Sequence, residues 1–397
     1  MRLLVVGHPF ILAYNQKKYV AMKQIEPRLR LRIVGPRQTP HLFGNYRCEL
    51  HPELSAEEVI PLSSALSRSH MTCVLNPVKM ARILREFLPD VIHIEEEPQA
   101  FLTLETLALR DALTQRVPVT LFTWDNLHRR RRFPWHAAKR QLRAYSLRRA
   151  SAIVCGNREA EHLLRTREGY KGLCVVLPQM GLDLEEHAPG NEAGLKQQLG
   201  LEDSIVVGYV GRLVPEKGVG LLLSALECLA SFPWKLLLVG SGPLERQIHR
   251  EWRARFPGRI VHVRAIPHRE VPRYLRCLDV FVLASYALAN WKEQFGLTLA
   301  QAMLLGIPSV VSSSGAIPEV AGPGALVFPE GSAEGLREAL QSVLRSASLR
   351  RELGARARAF ASRQYSLPNI AARYLEVFDQ ARRMQAMEVG QFRRARA

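Results

Sequence analysis

Two short stretches of this chain carry side chains that could hold a phosphate and read hydroxyl groups. The first is Gly208-Tyr209-Val210-Gly211-Arg212-Leu213-Val214-Pro215-Glu216-Lys217-Gly218. It reads as a strand ending at Gly211, a turn bearing Arg212 and Lys217, and an apolar helix from about Gly218. Glycine lets the backbone come close to a ligand, and two cations can neutralise a diphosphate. The same letters also suit a plain surface turn with two solvated cations. The second stretch runs from Trp291 through Lys292, Glu293, Gln294, Phe295, Gly296, Leu297, Thr298, Leu299 and Ala300 to Gln301. It places a loop carboxylate before a glycine-containing helix start, with an amide further inside the helix. A helix N-terminus between buried strands attracts an anion, and flanking polar groups can read hydroxyls beside it.

Other candidates are more diffuse. Gly240-Ser241-Gly242-Pro243 follows a strand, but neither half of the chain opens with the G-x-G-x-x-G that a nicotinamide dinucleotide needs. In the first half, Gly7-His8-Pro9 follows the first apolar run. His93-Ile94-Glu95-Glu96-Glu97 ends another, where strand-end acids point into the crevice of an open sheet. One of these three acids could orient a substrate; most are expected to be solvated. Asp125 and Asn126 sit where the run Val119–Thr123 meets a loop, with His128 just beyond.

Positioning these groups requires strands. Short apolar runs alternate with helical patterns, which predicts parallel sheets built from βα units. The runs are Leu3–Val6, Leu31–Val34, Val91–Ile94, Val119–Thr123, Ala152–Cys155 and Leu173–Leu177. After the turn Pro178-Gln179-Met180-Gly181 come Ile205–Val210, Trp234–Val239, Arg259–Val263, Val280–Ala284, Ser309–Ser312 and Ala325–Phe328. Residues 1–180 and 181–366 therefore read as two α/β domains. Residues 367–397 read as a helix with a basic tail that packs back on the first domain.

Length and composition agree with a two-domain globular protein: 397 residues, 47% hydrophobic, with no apolar run near the ~20 residues a membrane helix needs. The opening Met1-Arg2-Leu3-Leu4-Val5-Val6-Gly7 reads as a strand rather than a signal peptide, so a cytoplasmic location is expected. The cysteines at 48, 73, 155, 174, 228 and 277 make no CxxC, and no HExxH occurs, so no metal site is expected. The formal charge of +18 favours polyanionic partners: nucleic acid, anionic lipid or nucleotide diphosphates. Between Arg129 and Arg149 lie nine Lys/Arg and no acid, interleaved with Phe133, Trp135, Leu142 and Tyr145. Such a segment can lie on an anionic membrane surface, at the inner face of the membrane, or be a solvated helix whose apolar residues face its own core. No nucleic-acid-binding module is evident.

Three ordered segments, GYVGRLVPEKGVGLLLSAL, KLLLVGSGPL and KEQFGLTLAQAMLLGIPSVVSSSGAIPEV, together resemble a family 4 glycosyltransferase of the GT-B fold. LPQMGLD and LVFPEG fit as well. The resemblance is strong over residues 173–345 and weaker before them. It implies two Rossmann-like parallel-sheet domains facing across a cleft, the first for an acceptor and the second for a donor. It implies that Arg212 and Lys217, beside Gly211 and Gly240, grip the donor diphosphate. Glu293 then contacts the donor sugar, and the backbone around Phe295, Gly296 and Leu297 faces sugar and phosphate. Gln301 stands where the family commonly has a ribose-binding carboxylate, and Glu319 matches a less specific position. Acceptor-side candidates are Gly7, His8, Glu95, Asp125 and Asn126. The implied reaction is retaining transfer of a hexose from a UDP- or GDP-linked sugar to a hydroxyl of a glycan, lipid-linked or small acceptor. It needs no metal or cofactor, and the leaving phosphate helps to take the acceptor's proton. A non-catalytic or decayed donor-binding paralogue and a sugar-nucleotide epimerase of similar build are the alternatives. Many family members carry a His after the strand that here reads Val119–Thr123; this chain has Trp124-Asp125-Asn126 there instead.

Overall fold

The computed structural model describes residues 1–41, 44–67, 69–114, 117–127 and 134–394. His128, Arg129 to Arg132, Phe133 and Arg396 lie outside them. The chain forms two units, residues 1–181 with 367–397, and residues 182–366.

Among the described residues, the first unit holds a seven-stranded parallel sheet. Its strands lie in the order Leu173–Val176, Ala152–Cys155, Val119–Thr123, Val91–Ile94, Arg2–Val6, Arg30–Pro36, Val59–Leu62. Both faces are covered, which is why these strands read as continuous apolar runs. Leu3 and Val5 enter one core layer with Tyr19, Met22, Ile370, Tyr374 and Phe378. Leu4 and Val6, one residue out of phase, enter the other with Met80, Leu84, Leu102, Leu107 and Leu164. Ile370, Tyr374 and Phe378 recur at helical spacing on the final helix Leu367–Arg394 and are fully buried. Each such side chain contributes about 1.5–3 kcal/mol of burial free energy. The last segment of the chain is thus an integral layer of the first unit.

One strand of this sheet is absent from the sequence reading. Val59–Leu62 pairs with Arg30–Pro36 at the edge of the sheet. Proline removes a ladder donor, so Pro61 is tolerated on an edge strand while masking the strand in the sequence.

The second unit holds six parallel strands in the order Ile260–Val263, Trp234–Val239, Ile205–Val210, Val280–Leu283, Ser309–Ser312, Ala325–Phe328. In both units the first strand is central. The chain builds outward on one side of it, then returns to build on the other. The reversal falls between Arg2–Val6 and Val91–Ile94 in the first sheet. In the second it falls between Ile205–Val210 and Val280–Leu283. Loops diverge at the carboxyl ends of strands at such a reversal, leaving a crevice for ligands. No helix among the described residues is long and apolar enough to cross a membrane.

Candidate functional site

The two chemistry-bearing stretches of the second unit meet at its strand-order reversal. Gly211 follows Ile205–Val210, and Ser285 follows shortly after Val280–Leu283. Lys217 ends a single 3-10 turn, Pro215–Lys217, and Gly218 then takes φ 70°. A Cβ on Gly218 would lie 2.0 Å from the Ala284 carbonyl oxygen, so glycine brings this turn against the neighbouring strand end. Gly240 does the same for its own strand: a Cβ there would lie 1.9 Å from the Gly211 carbonyl oxygen.

Lys217 and Glu293 are in contact. The Lys217 ammonium lies 2.5 Å from Glu293 Oε2, and Ser285 Oγ donates to the same oxygen at 3.2 Å. The Lys217 Nζ also sits 4.8 Å from the centre of the Trp291 ring. Glu293 is buried, and its carbonyl accepts from Ala316 N at 3.1 Å. Gly296 is the N-cap of the helix Leu297–Leu304, whose first amides point out of its N-terminal end beside this pair in sequence. Arg212 is exposed, and Tyr209 Oη fixes its carbonyl at 2.8 Å. Glu319 is half-buried in the short helix Ile317–Ala321. The Phe295 ring packs edge-on against Tyr365 at 5.4 Å, so Phe295 can serve a ligand only through its backbone. Ser285 and the ring of Trp291 were not legible as site groups: Ser285 lies well upstream of Glu293 in sequence.

Gln301 is wholly buried. Its amide nitrogen lies 3.1 Å from His187 Nε2. His187 Nδ1 lies 2.8 Å from the Asp183 carbonyl oxygen and must donate to it, leaving Nε2 as an acceptor in the neutral ring. Gln301 therefore donates, which a carboxylate could not do. Nothing in the sequence marks His187, a lone histidine in a polar stretch. Gln301→Glu would need His187 as an imidazolium. We expect this variant to lose about 1–3 kcal/mol of stability near pH 8. The deficit should shrink as pH falls through the histidine range, because the new carboxylate raises the folded-state pKa of His187. Thermal unfolding of both chains between pH 5.5 and 8.5 checks this; a pH-independent difference contradicts the assigned donor.

In the first unit the three strand-end acids are not solvated, contrary to expectation. Glu95 is buried against Lys18 Nζ, Tyr19 Oη at 2.6 Å and His93 Nε2 at 3.2 Å. Burial alone would raise its pKa, but the Lys18 charge and the His93 contact outweigh it and hold it at about 2. Glu95 is thus committed to an internal ion pair. Glu96 is buried against His8, whose backbone nitrogen and Nδ1 both lie 2.6 Å from its Oε1. Gly7 places that turn, its nitrogen donating to the Val34 carbonyl at 3.0 Å. Glu97 accepts from Thr123 Oγ1 at 2.6 Å and from Trp124 N at 2.9 Å; burial pushes its carboxyl up. Asp125 pairs with Arg143 at 3.5 Å, and Asn126 is buried.

Arg143 also forms an ion pair with Glu168 at 2.8 Å and donates a hydrogen bond to Gln99 Oε1 at 2.8 Å. Arg149 pairs with Asp111 at 2.6 Å and stacks on Tyr145. These two members of the basic segment hold the unit together, while Arg140 and Arg148 are exposed.

Two Rossmann-like parallel-sheet units of this kind define the GT-B fold of glycosyltransferases. Anabaena HepE in complex with UDP matches at a TM-score of 0.71, with 17% identity, over 96% of this chain and all of that one. Sucrose-phosphate synthase from Thermosynechococcus elongatus matches at 0.70, with 19% identity, over 96% and 98%. Residues 192–360 match the model of glycosyl transferases group 1. A D-inositol 3-phosphate glycosyltransferase of Kribbella flavida is 27% identical over 220 residues, 52% of this chain and 51% of that protein. A GDP-mannose-dependent alpha-(1-6)-phosphatidylinositol monomannoside mannosyltransferase of Mycolicibacterium smegmatis is 33% identical over 148 residues, 35% of this chain and 38% of that protein. The chain spans about half the length of the first curated relatives it matches.

Proposed function

We propose that this protein is a glycosyltransferase that binds a nucleoside diphosphate hexose in its second unit and passes the hexose to a hydroxyl of an acceptor held by its first. The observation that carries this reading is the Lys217–Glu293 pair at the strand-order reversal, next in sequence to the helix start at Gly296. A donor would meet the cation with its diphosphate and the carboxylate with its sugar hydroxyls. Lys217, Arg212 and the helix amides would stabilise the charge that develops on the leaving diphosphate. In this reading those groups take the place a metal ion holds in other designs. The family resemblance supports retention at the anomeric carbon and a uridine or guanosine carrier.

A nucleotide panel tests the proposal by thermal stabilisation of the full chain. A cognate ligand at 100 times its Kd adds about 2.7 kcal/mol. UDP, GDP or one of their sugar conjugates should raise Tm in proportion. If no nucleoside diphosphate or nucleotide sugar raises it at millimolar concentration, the proposal fails.

A further inference from the structure

Within the second unit, the Lys217 ammonium touches two groups of one short segment. Glu293 Oε2 lies 2.5 Å from Nζ, and the centre of the Trp291 ring lies 4.8 Å from it. Trp291 and Glu293 stand two residues apart, so along an extended segment their side chains leave on the same side. Lys292, between them, leaves on the other: a Cβ on Gly315 would lie 3.0 Å from its Cγ and 2.4 Å from the Glu293 carbonyl oxygen. Gly315 takes φ 54°, and glycine there lets its loop close on the back of the segment.

The ring is carried by a fastened loop. Leu288 and Trp291 close a four-residue turn: Leu288 N donates to the Trp291 carbonyl at 2.8 Å, and Trp291 N donates to the Leu288 carbonyl at 3.4 Å. Just upstream, Tyr286 N donates to the Glu216 carbonyl at 2.9 Å, and Ala287 N donates to Glu330 Oε1. Glu216 precedes Lys217 in the turn Pro215–Lys217. The segment that bears the ring is therefore tied through its main chain to the turn that bears the cation. A carboxylate and an aromatic face hold an ammonium in different ways. The carboxylate accepts an N–H, and it is equally an acceptor for sugar hydroxyls. The ring attracts the charge as a whole through its negative face, which leaves the N–H groups to oxygen acceptors. Lys217 ends a flexible four-carbon stem, so an ammonium held by the carboxylate alone would lose its place once a sugar shares that carboxylate.

We propose that Trp291 is the positioning residue for Lys217: its ring keeps the ammonium in place for the donor diphosphate while Glu293 is shared with the sugar. This rests on the glycosyltransferase reading above. The ring acts on the diphosphate only through the cation, so its effect on binding depends on Lys217 being present.

The test is a double-mutant cycle on the full chain, read by calorimetric titration with UDP or GDP, whichever raises the wild-type Tm. Trp291→Leu should weaken diphosphate binding about fivefold. Trp291→Phe, which keeps an aromatic face, should recover most of that loss. In the Lys217→Ala background, Trp291→Leu should change affinity by less than about twofold, the scatter of independent sites. A ring that merely packs, or that touches the ligand itself, costs the same in both backgrounds. A second measurement leaves the fold untouched: growth on fluorotryptophan draws negative charge off the ring face at nearly constant size. Labelling should weaken diphosphate binding about twofold in the wild type and leave the Trp291→Phe chain unchanged. Unchanged or tighter binding in Trp291→Leu, the same loss in both backgrounds, or equal affinity of labelled and unlabelled wild type overturns this inference and leaves the donor site standing. If the wild-type chain binds no nucleoside diphosphate or nucleotide sugar, the glycosyltransferase reading falls and this inference falls with it.

Discussion

Glu293→Ala is expected to lower sugar transfer by about 10²–10³-fold, the scale of losing one group that stabilises the transition state. Binding of the bare nucleoside diphosphate should stay as tight as in the wild type, or become tighter. The Lys217 ammonium lies 2.5 Å from the Glu293 carboxylate, with Lys217 and Glu293 side chains only 15% and 9% exposed. A diphosphate must share Lys217 with that carboxylate. Removing the carboxylate frees the cation for the phosphates, while the sugar loses its acceptor group. It also leaves a largely enclosed ammonium without its carboxylate, which destabilises the chain. Diphosphate should therefore raise Tm by more in Glu293→Ala than in the wild type. Steady-state kinetics and thermal shifts on the same preparations check both halves. Equal losses of transfer and of bare diphosphate binding would remove the sugar contact from the account.

The largest stability effect is expected at Glu95→Ala. Lys18 and Glu95 side chains are each 2% exposed, and Lys18 also donates to the Gln179 carbonyl at 2.6 Å. Deleting the carboxylate strands a buried ammonium beneath the ring of Tyr374, 3.8 Å from its centre. The cost should be about 3–5 kcal/mol. Lys18→Met combined with Glu95→Leu should recover most of it, since two apolar groups require neither charge to be buried. The same pair sets an acid limit. The folded Glu95 carboxyl titrates at about 2, below the ordinary 4.5. Its contribution is complete above about pH 4.5 and is lost as pH falls toward 2. Denaturant unfolding of the full chain at pH 7 and at pH 3.5 checks both claims. A Glu95→Ala chain within about 1 kcal/mol of wild type would contradict the buried pair.

Much of this architecture was open to reading in the sequence, for a physical reason. Parallel strands covered on both faces are uninterrupted apolar runs, so Leu3–Val6 or Ile205–Val210 announces itself. Val59–Leu62 did not, because an edge strand bearing Pro61 lacks that signature. The donor-side groups were readable as types in an order, but not as contacts. Lys217 and Glu293 were assigned to different parts of a ligand, and the fold joins them to each other. Gln301 looked like an altered ribose contact; its partner, His187, comes from a distant polar segment that no local pattern marks. The three acids after Ile94 looked like a solvated cluster. Each instead finds a different partner: Lys18 from the helix Ala13–Ile25, His8 from the preceding strand end, and Thr123 from the following one. Such long-range pairings depend on strand order, which the spacing of runs does not contain.

The central claim is that Lys217 at the second sheet's reversal binds a donor diphosphate. Calorimetric titration tests it most directly, comparing nucleoside diphosphate with the matching monophosphate, in the wild type and in Lys217→Ala. The account predicts that the wild-type chain prefers the diphosphate by tenfold or more, about 1.4 kcal/mol, and that Lys217→Ala erases most of this preference. A preference unchanged in Lys217→Ala would contradict it.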